Sequence, residues 1–187
     1  MINLKPLTKI TVSSFYKWLN DETVIKYSLS KFQRISTEEE IDAWHSEILN
    51  DTKNYIVGIF LAETSELIGY TGICDISNTN MSGEFFIFIG AKQHWGKGYG
   101  TLATLKVIDY GFNGLKLNRI MLTVSEPNIG AIHSYSKAGF KVEGKLRQAC
   151  YRDGEYHDKV MMSILKEEFN KTMRTSTKSH GLKCQNR

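Results

Sequence analysis

The chain has 187 residues, 41% hydrophobic and 24% charged, with a formal charge of +4. That is the make-up of one globular domain, which excludes a chain disordered throughout. Two prolines against 15 glycines exclude collagen-like or proline-rich architecture, and no run approaches the ~18 apolar residues of a membrane span. Between Asn170 and Arg187 lie five basic residues and no acidic one, so subtracting those five from +4 leaves −1 for the rest of the chain. The body therefore lacks the charge of a nucleic-acid binder, and no nucleic-acid partner is expected. Residues 1–169 are expected to form one domain. Residues 170–187, with Met173 and Leu182 as their sizeable apolar groups, are expected to be a basic, flexible tail. Cys74, Cys150 and Cys184 are odd in number, far apart and outside any C-x-x-C spacing. That pattern predicts neither a disulfide framework nor a metal site. The opening MINLKPLTKI has no signal-like apolar stretch, so a reduced, cytoplasmic compartment is expected.

In chain order, a short apolar segment (Ile2, Leu4) precedes a helix predicted around Val12 to Leu19. Ser36 and Thr37, followed by Glu39 and Glu40, form overlapping capping-box patterns, and Ile41, Trp44, His45 and Ile48 recur behind them at helical spacing. The period then shortens. Tyr55 to Ala62 and Leu67 to Ile76 read as strands joined by a polar turn, and Glu84 to Ile89 reads as a third that ends at Gly90. A long helix follows from about Gly98 to Phe112, with Leu102, Leu105, Ile108 and Phe112 predicted inward, then a strand from Arg119 to Ser125. Asn128 opens a helix carrying Ala131, Ile132, Tyr135 and Ala138, for which Gly139 is a left-handed C-cap. Two closing strands, Phe140 to Arg152 and Glu155 to Leu165, hinge on Asp153-Gly154. The fold class is a mixed α/β (α+β) sheet covered by helices.

The densest chemical signal is Gln93-His94-Trp95-Gly96-Lys97-Gly98-Tyr99-Gly100, between a strand and the long helix. Alternate glycines permit positive φ and close approach of a ligand, and the helix start offers free N–H groups to an anion. A tight structural turn is the plainer reading. A Walker loop is excluded because Gly90 lies one residue too far from Gly96 and Gly98 stands where a hydroxyl is needed. A dinucleotide fingerprint would need glycine in place of Thr101.

Gln93 to Gly98 (Q-x-x-G-x-G) resembles the acetyl-coenzyme A loop of the GNAT N-acetyltransferases. Asn128 to Phe140 (NIGAIHSYSKAGF) is similar to that superfamily's N-x-x-A-x-x-x-Y-x-K-x-G-F segment. The closing EGKLRQACYRDGEYHDKVMMSIL resembles the branch acting on ribosomal-protein N-termini, polyamines and nucleotide-linked amino sugars. The likeness runs from about Ile2 to Phe169. It implies a mostly antiparallel central sheet flanked by helices, acetyl-CoA as co-substrate without a metal, and an amine-bearing acceptor; a homodimer is left open.

By this resemblance the backbone of Phe88 and Ile89 pairs with pantetheine, with an N–H near Ile89 meeting the oxyanion. Gln93, His94, Trp95, Gly96, Lys97, Gly98, Tyr99, Gly100 and Thr101 cradle the diphosphate, and Asn128, Ala131, Tyr135 and Lys137 complete the cofactor side. Asn128 reads equally as a helix N-cap. Deprotonating an alkylammonium of pKa near 10.4 costs about 4.6 kcal/mol at pH 7, so a base is needed. Glu84 resembles the family's glutamate base; alternation puts it with Phe86 and Phe88, apolar company that would raise its pKa. A strand-end charge is the plainer alternative. Tyr135 resembles the general acid that protonates the departing thiolate, against a simple core tyrosine. His133, His157 and Asp158 read mainly as surface residues, and Cys150 has no partner marking it as a nucleophile.

The acceptor pocket of the branch would draw on Trp18, Asn20, Tyr27, Phe32, Arg34, Arg147, Tyr151 and Tyr156. Polyamine acetyltransferases of the branch carry adjacent glutamates before the second helix, where this chain has SLSKFQR. The expected acceptor is therefore a small molecule such as a nucleotide-linked amino sugar, or a protein N-terminus. A polyamine, or a non-catalytic coenzyme A-binding module, is the alternative.

Overall fold

A computed structural model describes residues 1–28, 31–35 and 37–171. The expected tail from 172 onward, Ser36 of the capping pair and Cys184 lie outside the described residues. Seven strands form one sheet: β1 (Ile2–Lys5), β2 (Tyr55–Leu61), β3 (Leu67–Ser77), β4 (Ser82–Ile89), β5 (Arg119–Ser125), β6 (Lys141–Arg152) and β7 (Glu155–Leu165). Their order is β1-β2-β3-β4-β5-β7-β6, and β4–β5 is the one parallel pair in an otherwise antiparallel sheet. The crossover between those two strands is α4 (Tyr99–Asn113). The other helices include α1 (Val12–Leu19), α2 (Glu22–Ile25), α3 (Glu38–Leu49) and α5 (Ile129–Lys137), and residues 166–171 are also helical.

Local chemistry explains most of these boundaries. Thr37 caps α3 by accepting from the Glu40 N–H at 3.2 Å, while the Glu40 carboxylate accepts from the Thr37 N–H at 3.2 Å. Gly139, at φ +102°, ends α5 as expected, with the Phe140 N–H returning to the Tyr135 carbonyl at 3.0 Å. Asp153 and Gly154, at φ 52° and 83°, make the two-residue turn between β6 and β7.

Two elements differ from the sequence expectation. The short α2 was not foreseen; Asp21 caps it by accepting from the Thr23 N–H. On α4 the buried face is Ala103, Thr104, Val107, Ile108, Gly111 and Phe112, while Leu102 and Leu105 are partly buried. The small side chains seat α4 close to the sheet, which a stripe of large apolar residues would prevent.

Alternation along β4 divides the interior. Phe85 joins Ile73, Ile108, Phe112 and Ile120 beneath α4. Phe88 joins Phe15, Trp18, Phe32, Trp44 and Tyr70, which meet largely edge to face. Gly90 ends β4 directly under Trp18: a Cβ there would lie 2.0 Å from the indole. The strand end and α1 are thereby packed without slack.

At the β5–β7–β6 side, Arg119 holds Glu143 through both guanidinium ends (2.6 and 2.5 Å), and Ser163 donates to the same carboxylate at 2.7 Å. The guanidinium, then the hydroxyl, lower the Glu143 pKa to about 2. A carboxyl depressed on folding contributes stability above its unfolded pKa of ~4.3 and loses it as pH falls through the folded value. Glu143→Gln should therefore lower the melting temperature at neutral pH and narrow its gap to the parent between about pH 4.5 and 2, as read by thermal denaturation against pH.

Candidate active site

The site begins where the parallel pair stops. β4 and β5 are in register only at Ser82–Arg119, Gly83–Ile120 and Glu84–Met121, and beyond these they separate. Phe85 to Ile89 and Leu122 to Ser125 thus face a gap in place of a neighbouring strand. Backbone polar groups along such a gap need a partner from elsewhere. A cleft of about 780 Å³ fills the opening and reaches from α2 to the glycine loop.

Along one wall run His94, Trp95, Gly96, Gly98, Tyr99, Gly100 and Thr101. Gly96 and Gly98 have φ of +73° and +81°, and a Cβ at either would meet nothing within 4 Å. The positive φ explains why glycine stands there, and the empty space leaves a concave backbone at the start of α4, where free N–H groups and the helix dipole favour an anion. The Trp95 indole donates to the Ile89 carbonyl at 2.8 Å, which ties the loop to the strand end. Thr101 and Ser134 share a hydroxyl bond at 2.8 Å, joining the first turn of α4 to α5. Sequence reasoning missed Ser134, although it sits beside Tyr135 in the quoted segment.

Not all the loop faces the opening. Gln93 is exposed and donates to Glu66 at 3.3 Å, and Lys97 is exposed; neither lines the cleft. His94 lines it and approaches the Glu66 carboxylate with Nε2 at 3.4 Å, leaving a buried Nδ1 without a partner. Phe88, Ile89, Asn128, Ala131 and Lys137 all line the cleft. Asn128 acts as the N-cap of α5, its Oδ1 accepting from the Ala131 N–H at 3.2 Å, so the capping reading describes the oxygen.

Tyr135 comes from the buried face of α5, packs edge-on against Phe85 at 6.0 Å and lines the cleft. Its burial pushes the phenol well above the usual tyrosine range, so the proton stays on oxygen throughout neutral pH. Glu84 enters from the last paired position of β4 and is the one carboxylate among the described lining residues. Its oxygen, the Cys74 thiol and the Asp75 carboxylate lie within 4.8 Å of one another. Burial first, then these two carboxylates, push the Cys74 thiol up to about 11, so it is a protonated neighbour and no nucleophile.

The far wall consists of Thr23, Val24, Lys26, Tyr27, Ser28 and Phe32, with Tyr70, Phe86, Arg152 and Lys159. Of the expected acceptor residues, Tyr27 and Phe32 are here. Trp18 is instead buried against Gly90, and Asn20 bonds the Tyr16 carbonyl. Arg34 lines a separate surface hollow beside α3, and Arg147, Tyr151 and Tyr156 are exposed away from the cleft. Arg147 lies in the bulged stretch of β6, where Gln148 has φ 50° and its N–H is held by Asp158 at 2.9 Å, while Tyr151 and Tyr156 pair across the hairpin one residue out of step with Arg152, which does line the cleft. His133 does line the cleft, from an exposed position; His157 does not. Cys150 is buried, with Ser125 and the His157 carbonyl each at 3.5 Å.

Comparison with known proteins agrees with this geometry. Residues 2–141 match the acetyltransferase (GNAT) domain family. The N-acetyltransferase p20 of Bacillus licheniformis is 32% identical over 154 residues, covering 82% of this chain and 86% of p20. The spermidine N(1)-acetyltransferase of Escherichia coli K12 is 27% identical over 168 residues, covering 90% and 88% of the two chains. The crystal structure of spermidine N-acetyltransferase from Vibrio cholerae with CoA and spermine superposes with a TM-score of 0.81 at 26% identity, over 90% of this chain and 97% of that one. With a family match over most of its length and relatives that are N-acetyltransferases, the chain belongs to the GNAT family as an acetyl-CoA-dependent N-acetyltransferase.

Proposed function

We propose that the protein moves the acetyl group of acetyl-CoA onto a primary amine by direct attack within a ternary complex, Glu84 taking the ammonium proton and Tyr135 serving the departing sulfur. The observation that carries this reading is the single cleft at the β4–β5 divergence, lined by both side chains. Acetyl-CoA supplies the activated thioester. The main chain from His94 to Thr101 holds its diphosphate in the open glycine concavity, with Gln93 and Lys97 acting from outside. Phe88 and Ile89 offer backbone to the pantetheine arm, and Asn128, Ala131 and Lys137 border it.

The two side chains divide the proton work between them. A free amine is scarce at neutral pH, and a carboxylate at the last paired step of β4 relieves that cost. A tyrosine whose proton is held tightly by burial remains a donor at the pH where the carboxylate is a base. A reduced cytoplasmic setting, where acetyl-CoA is available, goes with this reading.

For the acceptor, the reading we favour is a small molecule, a nucleotide-linked amino sugar being the leading type, or a protein N-terminus. Arg152 and Lys159, beside Glu84 as the one carboxylate among the described lining residues, support it. A polyamine is the second reading, favoured by the names of the spermidine acetyltransferases to which the chain is similar. The deciding experiment is an acetylation screen over amino-sugar nucleotides, polyamines, amino acids and N-terminal peptides, following release of free coenzyme A thiol. Turnover with one class is expected. Coenzyme A binding with no turnover on any amine would leave a non-catalytic module.

Three variants dissect the roles. Tyr135→Phe should lower kcat by about 10²–10⁴ while the coenzyme A dissociation constant, measured by calorimetry, stays within twofold. Glu84→Gln should slow turnover by a similar factor at neutral pH, the deficit shrinking as pH rises toward the amine's own pKa of ~10.4; a pH–rate profile parallel to the parent's would remove it as base. Gly98→Ala adds strain of about 1–2 kcal/mol and puts a methyl into the cradle. The coenzyme A dissociation constant should rise by roughly tenfold or more while the fold is retained, as checked by calorimetry beside a melt.

A further inference from the structure

Arg152 ends β6 at the hairpin turn and is only 8% exposed. It lines the cleft on the wall opposite the glycine loop. Its Nη1 donates to the Lys26 carbonyl at 3.0 Å and its Nη2 to the Ser28 carbonyl at 2.6 Å. Nε is buried without any partner. A guanidinium presents five N–H donors in one plane, so two neutral carbonyls leave both donors and charge unspent.

Among the described residues no carboxylate forms an ion pair with it. The nearest acids in the chain are otherwise placed: Asp153 bridges Lys26 at 3.1 Å, and Glu155, opposite Arg152 in the hairpin register, is exposed. A buried arginine without a counter-ion is costly, several kcal/mol per desolvated charge in typical proteins. Groups left in that state mark places where a ligand supplies what the protein omits. Lys159 also lines the cleft, and Glu84 is the lone acid among its described lining residues.

Resting on the acetyltransferase reading above, we propose that Arg152 is the anchor for an anionic group on the acceptor: the substrate is an amine that also carries a phosphate or carboxylate. The amine end reaches Glu84 on β4, and the acidic end settles against Arg152 between α2 and the β6–β7 turn. Arg152 then does two things at once. Its Nη atoms fasten the backbone after α2, and its charge sorts acceptors by the sign of the group distal to the amine. A polyamine would bring further positive charge to a wall that already holds an uncompensated cation.

The test uses the full-length protein saturated with coenzyme A and measures acceptor binding by calorimetry. Three anionic amines are each paired with an uncharged counterpart: glucosamine 6-phosphate with glucosamine, a UDP-linked amino sugar with the free amino sugar, and an aminoacyl-glutamate with its diamide. Spermidine is the cationic arm. At least one anionic probe should bind about tenfold or more tightly than its counterpart, and the arm that responds distinguishes sugar phosphate, nucleotide and carboxylate. That advantage should shrink as salt rises and disappear in Arg152→Met, with coenzyme A affinity unchanged; Arg152→Lys should recover part of it. Because the salt series is run on the parent protein, it stands even if Arg152→Met unfastens the α2 wall.

Equal binding of charged and uncharged partners throughout, or spermidine as the tightest ligand with the same affinity in Arg152→Met, would overturn the assignment. An equal loss for all probes in Arg152→Met, with no anion preference in the parent, reduces Arg152 to a clamp and likewise overturns it. The two levels fail separately. Anion-selective binding without acetyl transfer sinks the catalytic reading and keeps the anchor, whereas transfer without anion preference does the reverse.

Discussion

The structure depends on a single broken pairing. β4 and β5 are the parallel strands of this sheet, and their register lapses after three positions. Elsewhere, β3 and β4 stay paired from Gly69–Ile89 to Ser77–Ser82, and β5 stays paired to β7 along its full length. The sheet can therefore open at this seam without coming apart. Unpaired main chain in a protein interior is expensive, so the gap must be satisfied by something else. A long molecule rich in amide and phosphate groups has the chemistry to do so, and the glycine concavity at the start of α4 offers free N–H groups to an anion.

Once the seam is open, the chemistry follows from which elements border it. β4 alternates Glu84, Phe86 and Phe88 toward the aromatic cluster, and Phe85 toward α4 and α5. A carboxylate and a buried phenol thereby reach one space from different elements, and burial keeps the phenol protonated. The walls are braced across the opening. Trp18 covers Gly90, Lys92 bonds Asp21 at the N-cap of α2, and Arg152 grips the carbonyls of Lys26 and Ser28. The α2 wall, the loop and the closing hairpin are thus tied through buried or capped groups, so that a shift in one is felt in the others.

Much of this was legible in the residues. The turn at Asp153-Gly154, the Thr37–Glu40 cap, the left-handed stop at Gly139 and the alternate glycines before Tyr99 are local devices whose chemistry lies within a few consecutive residues. Tyr135, Asn128 and Glu84 were legible through resemblance, and all three border the cleft. The wall by α2 was less legible. Arg147, Tyr151 and Tyr156 suit a pocket by type, yet Arg147 falls in the bulge at Gln148 and the two tyrosines alternate away from the face that carries Arg152.

By itself, then, the sequence determined the alternation of strands and helices, their caps and turns, and the glycine-rich loop before α4. These depend on backbone preferences and on neighbours three or four residues apart. The tertiary structure alone decided that Arg152 reaches the carbonyls of Lys26 and Ser28, more than 120 residues away in the chain. It also decided that Cys74 and Asp75 crowd Glu84, and that Thr101 meets Ser134. Such contacts are set by the sheet's strand order and by where one pairing lapses, and no local pattern encodes either.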